Sequence, residues 1–85
     1  MSEGASANSV IRALRANGVS VSVSDAHAHS FVIAKGDFME EAILEGEVGR
    51  RYIDRLKRKL DIPIHHFYNP DMAEAEAKEK ETERE

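Results

Sequence analysis

Four histidines are the side chains of this 85-residue sequence best suited to chemistry near neutral pH. They form two pairs, His27-x-His29 and the adjacent His65-His66. On one strand, residues i and i+2 share a face about 7 Å apart, so His27 and His29 could act together on a substrate or share a metal. The adjacent pair is expected to face opposite ways. We therefore take His27 and His29 as candidate catalytic residues, with ordinary structural histidines as the alternative.

No metal or cofactor is predicted. Zinc needs three or four ligands, and without cysteine both histidine pairs would have to meet beside a carboxylate, which leaves a metal-dependent binder as a third and weaker hypothesis. The sequence has no glycine-rich phosphate loop, nucleophile elbow or paired catalytic carboxylates. The sequence therefore leaves open whether the chain is an enzyme.

Basic residues are concentrated between positions 50 and 59, where six of them against one aspartate give a net charge of +5. Arg51, Arg55 and Arg58 recur at helical spacing, so they form one ridge that could meet successive phosphates of a nucleic acid. The predicted nucleic-acid-binding residues are Arg50, Arg51, Arg55, Arg58 and Lys59. The same ridge would also suit an anionic protein, the acidic C-terminus or plain contact with solvent.

The first half of the chain predicts a helix followed by two strands. Residues 8–16 have apolar side chains at helical spacing, with Asn8 or Ser9 as the N-cap and Asn17-Gly18 as the stop. Residues 19–24 alternate Val and Ser, the period of a half-buried strand. After a turn near Asp25, residues 27–34 form the second strand, with both histidines on one face.

The second half predicts a third strand and a second helix. Gly36-Asp37 suits a tight hairpin, which favours a strand at 38–44, although a short helix ending at Gly46 is the alternative. Residues 47–60 have the apolar stripe of a helix, and Pro63 ends it. Residues 64–68, bounded by prolines, are predicted to be an extended aromatic segment that packs on the core.

The charge pattern separates a domain from a tail. Residues 1–70 have nine acidic and nine basic side chains, whereas residues 71–85 have seven acidic and three basic ones and no sustained apolar face. We therefore predict a disordered N-terminus at 1–7, a single α+β domain at 8–70 and a disordered acidic tail at 71–85.

The composition of the chain indicates the cellular compartment in which it is expected. There is no cysteine, no apolar run near 20 residues and no signal-peptide pattern at the N-terminus. These features predict a cytoplasmic protein. Contact with membranes is not predicted either, because the apolar face of the basic helix is needed for the core.

The order helix, three strands, helix resembles the HicA family of mRNA-interferase toxins, which have a fold like that of double-stranded-RNA-binding domains. The resemblance covers roughly residues 8–62. It rests on Val10–Gly18 as the opening helix, His27-Ala-His-Ser-Phe31 at the second strand, and Ile53-x-x-Leu56 in the closing helix. Asp25-Ala26 stands where the family has Gly-Ser before its catalytic histidine, and Arg51-Tyr52 where it has Gly-Thr.

The resemblance implies that His27, or His29 in an alternative register, acts on the RNA 2′-hydroxyl or leaving group while the basic helix holds phosphate. It also implies an antitoxin-like protein partner that covers this surface. The leading hypothesis is therefore a small RNA-binding domain, with HicA-like ribonuclease activity as its more specific form. The alternative is a non-catalytic protein-interaction module of another function.

Overall fold

The chain folds as an α+β domain in a computed structural model that describes residues 4–83, with side chains as far as residue 79. The elements, in chain order, are β1 (Ala5–Ser6), α1 (Ala7–Ala16), β2 (Ser20–Val23), β3 (Ser30–Lys35), β4 (Phe38–Ile43), β5 (Glu47–Val48), α2 (Arg50–Leu60), α3 (Ile64–Tyr68) and α4 (Pro70–Glu83). The predicted fold class is confirmed, because helices pack with a three-stranded antiparallel sheet in the order β2-β3-β4.

The α1 helix begins earlier than the sequence pattern indicated. Its N-cap is Ser6, whose Oγ accepts a hydrogen bond from the Ser9 amide at 3.1 Å, and not Asn8 or Ser9. Just before it, Ala5 pairs with Val48 to form a two-stranded sheet of β1 and β5. Of the predicted disordered N-terminus, residues 4–7 are therefore ordered, and residues 1–3 lie outside the described part of the chain.

The central sheet confirms three predicted features. Gly18 ends the first helical segment at φ 79°, Gly36 begins the tight turn at φ 58°, and β4 is a strand and not a helix. The register pairs Val21 with Ile33 and Ile33 with Glu40 across the three strands. A glycine with positive φ therefore stands in the turn before β2 and in the turn between β3 and β4.

The two faces of the sheet differ in what covers them. Ile33 and Val21 point into the core, where Leu14, Ile53 and other helix side chains bury them. The opposite face carries Ser22, Val32, Glu41 and their neighbours and includes two very exposed apolar side chains, Met39 at 75% and Ile43 at 61%. The helices therefore cover only one face of this sheet.

The α2 helix is shorter than predicted because Glu47 and Val48 form β5 instead. Its apolar residues Ile53, Leu56 and Leu60 are buried in the core. The helix ends at Asp61, which has left-handed backbone angles (φ 54°) and donates its N–H to the Lys57 carbonyl.

The prediction of an extended segment at 64–68 is wrong, because these residues form the short helix α3. Pro63 follows the end of α2, as predicted, but it also stands just before the first residue of α3, where the fixed φ of proline costs no hydrogen bond. Helical geometry places Phe67 wholly in the core and leaves Tyr68 41% exposed.

The prediction of a disordered tail is wrong for most of its length, since α4 runs from Pro70 to Glu83. Its inner face consists of small residues, Pro70 and Ala73, both of which are buried. Small side chains let α4 approach α1 and α3 closely without a large apolar stripe. The folded unit therefore extends beyond the predicted boundary at residue 70, and residues 84–85 lie outside the described chain.

Within residues 4–83, no helix is both long enough and apolar enough to cross a membrane.

Candidate functional site

The basic residues of α2 project from the side of the helix opposite its buried stripe. Because Ile53 and Leu56 must face the core, Arg51, Arg55 and Arg58 are held on the solvent side. Lys59 lies next to them, and together with Asp54 these four side chains line one shallow depression. We call Arg51, Arg55, Arg58 and Lys59 the basic face.

The predicted nucleic-acid-binding residues differ in whether their charge is already paired. Arg55 contacts Glu40 of β4 at 2.5 Å, and Arg50 contacts Asp54 at 3.1 Å and lies over the Tyr68 ring. The hydrogen bond to Asp54 raises the pKa of Arg50. In contrast, none of the side-chain hydrogen bonds or ion pairs formed within the described residues involves the side chain of Arg51, Arg58 or Lys59. Three of the five residues are therefore available to an external anion.

Glu40 links the sheet to α2 through two hydrogen-bonding partners. Its carboxylate accepts a hydrogen bond from the Tyr52 hydroxyl at 2.6 Å and also forms the ion pair with Arg55. Burial, followed by the hydrogen bond to Glu40, raises the pKa of Tyr52 well above its usual value. Tyr52 therefore stays protonated and acts as a donor that positions α2 on β4.

The candidate catalytic histidines do not lie on a strand, so the predicted shared face is wrong. His27 and His29 belong to the loop of residues 24–29, because β3 begins only at Ser30. Both are exposed. The His29 backbone has φ 58°, its carbonyl accepts the Leu44 amide at 2.9 Å, and its Nε2 lies 3.8 Å from a Glu45 carboxylate oxygen. The structure brings this loop to the segment that leads into α2.

The other histidine pair lies in a built polar cluster. On α3, His66 is 5% exposed, and its Nε2 lies 2.6 Å from Glu76 Oε2 of α4. Its Nδ1 lies 3.1 Å from the Asn17 side-chain amide. His65 Nε2 reaches the same Glu76 oxygen at 3.4 Å, so the prediction that the pair faces opposite ways is wrong.

Hydrogen bonding assigns the protons in this cluster, which we call the histidine corner (Asn17, His65, His66 and Glu76). The Asn17 Nδ2 also donates to the Ala13 carbonyl at 2.8 Å, so it is the donor to His66 Nδ1 as well. Neutral His66 must then carry its proton on Nε2 and donate it to Glu76. The hydrogen bond from His66, followed by that from His65, lowers the pKa of the Glu76 carboxyl.

The corner borders a cavity of about 680 Å³ between the C-terminal ends of α1 and α2 and the helices α3 and α4. Its lining combines His66 and Glu76 with the cationic side chains Lys35 and Lys57 and with Asp61. A cavity lined by an imidazole, carboxylates and ammonium groups is suited to a polar or charged ligand.

A second polar contact holds α4 against α1. Arg12 donates to Asp71 at 2.6 Å and to both carboxylate oxygens of Glu74, at 2.7 and 3.0 Å. Hydrogen bonds to Glu74 and then Asp71 raise the pKa of Arg12, and the Arg12 guanidinium lowers that of Glu74. Asp71 and Glu74 of α4 are therefore paired with Arg12 of α1, and not with the basic face of α2.

Sequence reasoning missed Asn17, Glu76 and Arg12 as members of polar clusters. A signal for α4 was present, because Asn69-Pro70-Asp71 is a helix start: Asn69 Oδ1 accepts the Met72 amide at 3.3 Å, proline stands at the first helical position and an acid follows. With α4 recognised, Ala73 and Ala77 mark one face and place Glu76 beside it.

In comparisons with known proteins, the chain matches no family model, no curated protein and no solved structure.

Proposed function

We propose that this domain binds RNA through the basic face of α2. The observation that carries the proposal is the set of three cations, Arg51, Arg58 and Lys59, whose side chains form no ion pair or hydrogen bond within the described residues. Arg51 and Arg58 are seven residues apart on one helix, which corresponds to roughly 10 Å along its axis. Rigidly spaced cations of this kind contact phosphates without reading sequence.

The loop of residues 24–29 supplies a second contact in this proposal. His29 of this loop lies 3.8 Å from Glu45, which precedes the first residue of α2 by five positions in the sequence. Double-stranded RNA is recognised by shape, through phosphates and 2′-hydroxyls contacted at separated points. Two separate contacts with the backbone, one from the helix and one from the loop, would favour such a duplex over a single strand.

The proposal is tested by titrating the chain into a labelled RNA duplex of about 16 base pairs, the span of one double-stranded-RNA-binding domain, at several salt concentrations. Arg51→Gln/Arg58→Gln should weaken binding and reduce the slope of log affinity against log salt by about 1–2, because up to two phosphate contacts are lost.

The matched control is Arg15→Gln/Lys35→Gln, which removes the same formal charge from side chains outside the basic face that donate to the Val21 and Asn17 carbonyls. Its binding should stay close to that of the unmodified chain. Equal weakening in both variants would assign the binding to net charge, and no binding of duplex or single strand would overturn the proposal.

Ribonuclease activity is a narrower form of this proposal and depends on His27 or His29. Both imidazoles are exposed, so either can be removed without loss of core packing. If the activity exists, His27→Ala or His29→Ala should abolish cleavage of bound RNA while leaving the circular-dichroism spectrum and RNA affinity largely unchanged. Binding without cleavage by the unmodified chain would limit the function to recognition.

A second candidate function, protein binding, is favoured by the open face of the sheet. Met39 and Ile43 of β4 project from it with most of their surface exposed, as is common at protein-binding sites. If RNA causes no change in the NMR spectrum of the α2 amides, a partner on this face becomes the leading function. Substitution of Met39 and Ile43 by serine should then abolish partner binding without unfolding the domain.

A further inference from the structure

Three potential metal-ligand atoms converge in the histidine corner. They are the ring nitrogens of His65 and His66 and a carboxylate oxygen of Glu76, and all lie within 4.8 Å of one another. Both Nε2 atoms already approach one Glu76 oxygen, at 3.4 and 2.6 Å. A cation held between them would need only small movements of these side chains.

The donor set matches a specific class of ion. Two imidazoles and one carboxylate form the ligand set of many zinc sites that keep a fourth position for water. Calcium and magnesium prefer oxygen ligands, so this set favours a transition metal. We propose that His65, His66 and Glu76 form a Zn²⁺ site whose fourth position opens into the adjacent cavity.

Asn17 would orient the buried ligand. In the metal-free protein Asn17 donates to His66 Nδ1, which leaves the Nε2 proton directed at Glu76. Zinc on Nε2 requires that proton to move to Nδ1, and the Asn17 amide then turns its oxygen toward the ring to accept it. The Ala13 carbonyl loses the side-chain hydrogen bond in this step but keeps that of the Asn17 backbone N–H at 3.2 Å. No proton is gained or lost in the exchange.

Zinc at this position would join helices that are now connected by side-chain hydrogen bonds. Two ligands come from α3 and the third from α4. Because the ion would bind the folded chain and not the unfolded one, it should raise the melting temperature and reduce the opening of α4. The site thus links metal availability to the docking of the C-terminal helix.

The test is a ZnCl₂ titration of the chain without a histidine tag, by calorimetry and thermal melting, with MgCl₂ in parallel. We expect one saturable Zn²⁺ per chain, a higher melting temperature in Zn²⁺, and no response to Mg²⁺. Long-range ¹H–¹⁵N spectra should show that the His66 proton has moved from Nε2 to Nδ1.

Three variants separate a built site from adventitious binding. His65→Ala removes an exposed ligand and should weaken Zn²⁺ binding by more than the roughly 10–100-fold that loss of a second-shell partner costs. His27→Ala removes an exposed histidine outside the corner and should bind Zn²⁺ as the unmodified chain does. Asn17→Asp should strengthen binding, because its carboxylate accepts the Nδ1 proton without an amide flip.

The proposal is overturned if the unmodified chain binds no Zn²⁺ saturably, or if His65→Ala binds as well as His27→Ala does. It is also overturned if zinc leaves the His66 ring nitrogens unchanged. Because the His65 side chain is half exposed, its variant is expected to remain folded, which the amide spectrum checks.

Discussion

The loop of residues 24–29 and the histidine corner present the same side-chain chemistry in opposite environments. In the loop, His27 is exposed, and His29 meets a single carboxylate oxygen of Glu45 at 3.8 Å. In the corner, His66 is buried and receives partners from two other helices, Asn17 of the α1 cap and Glu76 of α4.

The difference shows how many structural elements are needed to fix the tautomer and the orientation of an imidazole ring. A loop side chain with one distant partner keeps its rotamers and its tautomers, so it can respond freely to whatever binds. A side chain enclosed by three helices has one tautomer and one orientation, because each ring nitrogen has its own assigned partner. The loop is therefore adaptable, whereas the corner is preorganised.

The largest contrast is expected from removing the buried histidine. His66→Ala should lower the free energy of unfolding by about 2–3 kcal/mol, since it deletes a buried side chain and two hydrogen bonds. Urea denaturation measures the change. If His66→Ala lowered the free energy of unfolding by less than a substitution in the loop does, the corner would not be the more structured region.

Removing Asn17, the second hydrogen-bonding partner of His66, should destabilise the same corner by a smaller amount. Asn17→Ala should cost about 1–2 kcal/mol, because the buried His66 Nδ1 loses its donor. Nitrogen chemical shifts of the His66 ring should then show a mixture of tautomers. If the ring stays wholly in the Nε2–H form, Glu76 alone determines the tautomer.

In the loop, the backbone and not the imidazole should dominate the response. His29 has φ 58°, which glycine adopts without steric cost, so His29→Gly should raise the free energy of unfolding by about 0.5–1 kcal/mol. The β-branched control His29→Val should lower it by about 1–2 kcal/mol. Equal stabilities for these two variants would show that the loop relaxes to other backbone angles.

The smallest effect is expected at His27. His27→Ala should change the free energy of unfolding by no more than about 0.5 kcal/mol, because the side chain is exposed and forms no hydrogen bond within the described residues. The same denaturation series measures it. A larger loss would mean that the loop packs more tightly than its exposure indicates.

Local sequence patterns predicted the central sheet and most of the first two helices. The Val-Ser alternation, the positive-φ glycines and the apolar stripe of α2 depend on residues close in sequence, so their consequences are visible without tertiary contacts. The basic face could be predicted for the same reason. Burial of Ile53 and Leu56 on one side of a helix requires the arginines to project from the other.

The strand position of the histidines could not be predicted in the same way. The residues from His27 to Ala34 alternate as a strand would, but β3 begins at Ser30, where pairing with Ile43 becomes available. Which part of an alternating run joins the sheet is decided by the partner strand. The ion pair of Arg55 with Glu40 likewise joins residues that are distant in sequence.

The sequence by itself determined the α+β class, the sheet and the cationic side of α2, because hydrophobic periodicity and turn chemistry act over a few residues. Only the tertiary structure decided that the helix of residues 70–83 docks on α1 and α3, and that His65, His66 and Glu76 meet. An Ala- and Glu-rich segment has too little apolar surface to reveal its own burial. Its helix is held by Arg12, by the His66–Glu76 hydrogen bond and by the close approach of Ala73, contacts that exist only after the other helices are in place.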